Sequence, residues 1–163
     1  MVEISVRPAA AEDAVGIARV HIQAWREAYA AHVSAEYLAS LDEGARVERW
    51  REIIASGDTD AFVAEADGVI VGWASAGAGR HMDAPLDREL EGIYITAQMY
   101  GSGAGQQLLD ASIGESAAYL WVLDGNARAE AFYARNGFRR DGATQNHTLG
   151  DATVRIIRML RLA

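Results

Sequence analysis

The chain has 163 residues, half of them hydrophobic, two prolines, and a formal net charge of −8 at pH 7 from fifteen basic and twenty-three acidic side chains. That describes one packed domain near the usual size of about 150 residues and excludes a disordered or fibrous chain, while the acidic balance repels nucleic-acid phosphate and anionic lipid and attracts cations such as amines. Cysteine is absent and every basic residue is arginine, which excludes disulfide scaffolds, thiolate metal sites, a cysteine nucleophile, a lysine Schiff base and a Walker A lysine.

Met1 to Arg7 carries no basic leader into an apolar stretch, and no run of about eighteen apolar residues occurs. The expectation is a cytoplasmic protein with no membrane segment. The lysine-free, alanine-rich usage points to a GC-rich bacterial genome.

Glu3 to Arg7 alternates as a strand and stops at Pro8; from Ala11 to Tyr29, Val15, Ile17, Val20, Ala24, Trp25 and Ala28 recur at helical spacing. A second helical stretch breaks near Asp42 to Gly44, with Tyr37, Leu38 and Leu41 before the break and Val47, Trp50, Ile53 and Ile54 after it. Gly57 ends it. Between Ala61 and Ser75 two apolar runs flank Asp67-Gly68, a strong hairpin signal. Gly77 to Pro85 reads as a loop and Arg88 to Ile95 as a strand leading into a glycine-rich segment. A helix opens near Gly103, with Ala104, Leu108, Ala111 and Ser112 on one face. Tyr119 to Leu123 is a short apolar strand of the kind buried on both faces, Asn126 to Asn136 is a helix closed by Gly137, and Phe138 to Arg140 and Val154 to Leu162 read as two strands around a polar loop. Strands alternate with helices, but the hairpins and the early helix pair break a doubly wound pattern, so a mixed α/β sheet is predicted.

Two segments carry chemistry. Gln98 to Gly105 (QMYGSGAG) is a glycine cluster between a strand and a helix, where bare backbone N–H groups and the helix dipole form an anion site. A plain strand-to-helix turn would look the same. A dinucleotide-binding loop is the rival reading, since Asp124 stands near where a ribose-binding acid is expected; however, counting G-x-G-x-x-G from Gly101 or Gly103 puts Gln106 or Leu108 at the third glycine. In the second segment, Asn126 to Phe138 (NARAEAFYARNGF), Asn126 is a good N-cap and Tyr133 is either a core aromatic or a group with a free hydroxyl.

Together the segments resemble the GNAT (GCN5-related N-acetyltransferase) superfamily. Gln98-x-x-Gly101-x-Gly103 matches its Q/R-x-x-G-x-G/A pyrophosphate loop, N-x-x-A-x-x-F-Y-x-x-x-G-F matches its later signature, and VHIQAWREAYAAHVSAEYL at 20 to 38 is similar to a bacterial subset. The resemblance implies a single GNAT-like α/β domain over residues 1–163: a mixed, mostly antiparallel sheet flanked by helices, with a splayed central strand pair clamping acetyl-CoA. It implies that Ile93, Tyr94 and Ile95 pair through backbone with the pantetheine arm. Gln98, Gly101, Gly103 and Ala104 would hold the pyrophosphate, Asn126 would touch the cofactor and Tyr133 would reach its sulfur. Arg128 is a further cation beside the loop. The implied activity is acetyl transfer to a primary amine, with no metal. A homodimer is the implied assembly.

An amine of pKa about 10.4 is free base in only about one part in 2,500 at pH 7, a penalty of about 4.6 kcal/mol that a base or an acidic site relieves. With no cysteine for an acyl-enzyme, direct attack is the simpler route, with Tyr133 as acid. Glu91, two residues before the pantetheine strand, is the first choice for base, acting through a water. Glu89 shares its face, and His81 and His147 are rivals. Tyr29 and Tyr37 are the candidates for the acceptor wall, and Trp25, Trp50, Trp73 and Trp121 fall on apolar faces and read as core. The charge balance favours a small cationic amine as acceptor over nucleic acid. A protein or peptide amine, or a non-catalytic CoA-binding sensor, stay open as alternatives.

Overall fold

In the computed structural model, which describes residues 2–80 and 82–163, the chain runs β1 (Ile4–Pro8), α1 (Ala14–Tyr29), α2 (Ala35–Ala39), α3 (Glu43–Ser56), β2 (Thr59–Ala66), β3 (Val69–Ala78), β4 (Arg88–Ile95), α4 (Ala104–Ser112), β5 (Ala118–Leu123), α5 (Ala127–Arg135), β6 (Arg139–Leu149) and β7 (Ala152–Arg161). Short 3-10 turns precede α1 and follow β4. The strands form one sheet in the order β1-β2-β3-β4-β5-β7-β6. Every neighbouring pair is antiparallel except β4 and β5, which run parallel and are joined only at Glu89 and Tyr119.

Local chemistry sets the element ends. Ser34 Oγ accepts from Tyr37 N–H at 3.1 Å to cap α2, and Asp42 Oδ1 accepts from Ala45 N–H at 3.1 Å to cap α3, satisfying first-turn donors that a helix leaves unpaired. Gly57, at φ 72°, closes α3 in the left-handed conformation. Asp67 and Gly68, at φ 51° and 77°, make the tight turn between β2 and β3.

Side-chain alternation along β2 and β3 divides the core. Val63 and Trp73 pack with Ile17, Val20 and Trp50 under α1 and α3, whereas Ala64 and Ala74 pack with Ala104 and Leu108 of α4 on the other face. A third cluster joins α4 and α5 to β5 and β7 through Leu109, Leu120, Tyr133, Phe138 and Met159.

The polar loop expected after Arg140 is instead strand. β6 continues to Leu149 with an irregularity between Arg140 and Thr144, and pairs with β7 down to Leu149 and Ala152. Gly150, at φ 65°, makes the turn. An edge strand exposed along most of its length needs no apolar alternation, and so left no hydrophobic signal. Among the described residues no helix is long and apolar enough to cross a membrane.

Candidate active site

Beyond the single pair at Glu89 and Tyr119, β4 stays bonded to β3 through Ile93, Tyr94 and Ile95, and β5 stays bonded to β7. The two strands therefore part, and the backbone groups of residues 93–95 that face β5 have no strand partner among the described residues. A cavity of about 610 Å³ opens at this wedge, lined by Ile93, Ile95, Gly101, Gly103, Arg128 and Phe132 among others. Gly101 and Gly103 adopt φ of 79° and 91°, and a Cβ at either would meet nothing within 4 Å. Glycine is thus required by conformation, which leaves the backbone bare toward the cavity. Gly103 caps α4, so the N–H groups of Gly105 and Gln106, both lining the cavity, have no partner within the helix. Bare amides at a helix N-terminus favour an anion.

Not all of the expected loop reaches this cavity. Gln98 is exposed in the preceding 3-10 turn and lies outside the lining, and Ala104 is fully buried with its N–H donating to Ser102 Oγ at 3.2 Å. Arg128 lies over the Tyr100 ring, 3.1 Å from its centroid, at the cavity edge.

From the far side α5 supplies Asn126 and Tyr133. Asn126 acts as the helix cap, its Oδ1 accepting from Ala129 N–H at 3.2 Å, and it also lines the second cavity described below. Tyr133 is buried, yet its hydroxyl makes no hydrogen bond among the described residues. Burial, with the Tyr94 phenol nearby, pushes its pKa well above the ordinary tyrosine value, so the hydroxyl keeps its proton at neutral pH.

The second cavity, about 400 Å³, lies between α1, α3 and β4. Ile93, Ala129 and Tyr133 line both cavities, so the two meet at the Tyr133 ring. β4 bulges there: Ser75 pairs with Gly92 and Ala76 with Leu90, leaving Glu91 as the extra residue. The Glu91 carboxylate lines the cavity, accepts from Thr59 Oγ1 at 3.4 Å and stands 3.8 Å from Arg80 Nε. Glu89 differs. It is buried and takes three bonds from Arg80, Nη2 to Oε2 at 2.7 Å, Nε to Oε1 at 3.0 Å and the backbone N–H to Oε1 at 3.3 Å, and one from Tyr119 Oη at 3.2 Å. Burial works to raise its carboxyl, but Arg80 outweighs that and holds it below the usual range. Glu89 therefore ties the closed end of the wedge and carries the guanidinium that faces Glu91.

Aromatic rings wall this cavity. His21 stacks on Trp73 and Tyr94 with ring centroids 5.2 and 5.6 Å away, Trp25 stacks on Tyr29 at 4.6 Å, and Trp50 meets Trp73 edge-on at 4.5 Å. Trp50 Nε1–H donates to His21 Nδ1 at 3.3 Å, which puts the imidazole proton on Nε2. Desolvation, helped by the nearby Arg46 guanidinium, pushes the His21 pKa down to about 3, so the ring is neutral at working pH.

Trp25, Trp50, Trp73 and Trp121, read from the sequence as core, all line this cavity, although Trp50 and Trp73 are also buried against α1 and β2. Tyr29 lies in the wall. Tyr37 does not: its ring packs against Gly150 at the tip of the β6–β7 hairpin, outside both cavities. His147 reaches the wall from β6, and His81 lies outside the described residues. Sequence reasoning missed His21, Arg46 and Arg80. The spacing of His21 with Trp25, and of Arg46 with Trp50 and Ile53, could have shown the first two; Arg80, in a loop, left no signal.

The profile of the Acetyltransferase (GNAT) family matches residues 20–138. The uncharacterized N-acetyltransferase YuaI of Bacillus subtilis is 32% identical over 130 residues, 76% of this chain and 73% of its own length. Among solved structures, PaiA N-acetyltransferase from Thermoplasma acidophilum in complex with coenzyme A superposes with a TM-score of 0.76 at 20% identity, covering 99% of each chain. YncA from Salmonella typhimurium, a putative acetyltransferase with its cofactor acetyl-CoA, superposes at 0.71 with 21% identity over 98% of this chain and 94% of its own.

Proposed function

Because the chain belongs to the GNAT acetyltransferase family, we propose that it moves the acetyl group of acetyl-CoA onto the primary amine of a small molecule that arrives as an ammonium. The observation that carries this reading is the meeting of the two cavities at Tyr133, one headed by bare glycine amides and the other holding a carboxylate. The donor supplies an activated acetyl thioester. Gly101, Gly103, Gly105 and Gln106 present backbone donors suited to its pyrophosphate, and the unpaired edge of β4 at residues 93–95 is suited to the amides of its arm. Backbone donors suit an acidic protein, since they grip an anion without a basic surface.

On the acceptor side, Glu91 is placed to take the proton of the ammonium directly or through a water, and the chain's net charge of −8 draws cations toward it. Tyr133, holding its phenolic proton at neutral pH, is placed to give that proton to the departing thiolate. A cavity of about 400 Å³ matches a small molecule.

Coenzyme A release from acetyl-CoA, followed with a thiol reagent over a panel of primary amines, tests the reading. In Tyr133→Phe, kcat should fall by about 100-fold while calorimetric affinity for acetyl-CoA holds. Unchanged turnover removes Tyr133 from the role, and binding of acetyl-CoA with no amine-dependent release from the unaltered protein refutes acetyl transfer.

A further inference from the structure

The acceptor cavity contains two guanidiniums, Arg46 and Arg80, and they are in different states. Arg80 is committed, with both Glu89 oxygens in hydrogen-bond contact and Glu91 beyond them. Arg46 projects from α3 on the same face as Trp50 and Ile53, is half-buried, and makes no side-chain hydrogen bond or ion pair among the described residues. In a chain with eight more acidic than basic groups, a guanidinium that faces a cavity walled by aromatic rings and has no carboxylate partner among the described residues is open to an anionic ligand. Its field already reaches the opposite wall, where it acts on both His21 and Tyr94.

The fixed charges of the cavity thus sort into a carboxylate on β4 and an uncommitted guanidinium on α3, with aromatic surface between them. We propose that the acceptor is an amino acid with an apolar or aromatic body, its carboxylate held by Arg46 while its amine is presented to Glu91. This deepens the acetyl-transfer reading above and rests on it. A carboxylate fits better than a phosphate dianion, because one guanidinium balances a single negative charge and no second uncommitted arginine lines the cavity among the described residues.

The test compares amino acids with their decarboxylated counterparts: phenylalanine with phenethylamine, leucine with isoamylamine, tryptophan with tryptamine. Coenzyme A release gives kcat/KM for each. Quenching of intrinsic protein fluorescence, with coenzyme A present, gives binding of the phenylalanine and leucine pairs. At least one pair should favour the carboxylate by about tenfold or more in both readouts. In Arg46→Gln that ratio should fall toward one, and Arg46→Lys, which keeps the charge without the fork, should restore part of it. A ratio near or below one for every pair overturns the proposal, as does a ratio that Arg46→Gln leaves unchanged. Carboxylate-dependent binding without coenzyme A release would uphold the Arg46 anion site while refuting acetyl transfer; release without carboxylate preference would do the reverse.

Discussion

Replacing His21 by Asn should flatten the acid side of the stability profile. The unfolded imidazole takes up a proton near pH 6.5, whereas in the fold its rings of Trp73 and Tyr94, and then Arg46, delay protonation to about pH 3. The unfolded chain therefore binds more protons between those values, and stability falls as pH drops through that window. Between pH 7 and 5 the linkage amounts to about 2 kcal/mol, or about 4–8 °C in Tm for a chain of this size. Asn retains a carbonyl oxygen able to accept from Trp50 Nε1–H but cannot titrate. Its lost ring contacts lower stability at every pH, so the informative quantity is the slope. Urea unfolding at pH 5, 6 and 7 on both proteins gives that slope, and other titrating groups cancel in the difference. Should the two slopes agree within about 0.5 kcal/mol over the interval, His21 is not held neutral and the account of the cavity's electrostatics is wrong.

Glu91→Gln should lower kcat by about 100-fold while calorimetric affinity for acetyl-CoA holds; unchanged turnover takes Glu91 out of the base role. Glu89→Gln breaks a buried ion pair whose arginine is 57% exposed, so the loss should be about 1–3 kcal/mol, below the range for fully buried pairs, and is read by urea unfolding. Gly150→Ala meets both a positive φ and the Tyr37 ring, and should cost about 1–3 kcal/mol with kcat/KM for acetyl-CoA unaltered. An equal loss in Gly57→Ala, at positive φ but with nothing within 4 Å of its Cβ, would show that backbone strain alone accounts for the effect.

What could be read in advance follows from how each feature is encoded. The Asp67-Gly68 turn, the glycine loop and the Asn126 cap are local devices in which a few adjacent residues fix backbone conformation, so the sequence displays them directly. The splay of β4 from β5 is different in kind, since it depends on which strand each pairs with beyond Glu89 and Tyr119. No periodicity within Arg88 to Ile95 reports it, and it became an expectation only through resemblance. The bulge that singles out Glu91 is equally invisible, because it is a mismatch in count between two strands.

The tryptophans show a further limit. Trp25, Trp50 and Trp73 sit on the apolar stripes of α1, α3 and β3, and those stripes do face inward. Hydrophobic spacing identifies an inward face but does not distinguish a filled interior from a walled cavity, since both remove the ring from bulk water. What separates them is polar company. The indole N–H of Trp73 is buried without a partner among the described residues, and a neutral His21, an uncommitted Arg46 and the bulged Glu91 stand among the same rings. Ordinary cores satisfy or exclude such groups. Here they converge from α1, α3, β3 and β4 on one space beside Tyr133, an arrangement that fits the recognition of a polar acceptor better than it fits packing.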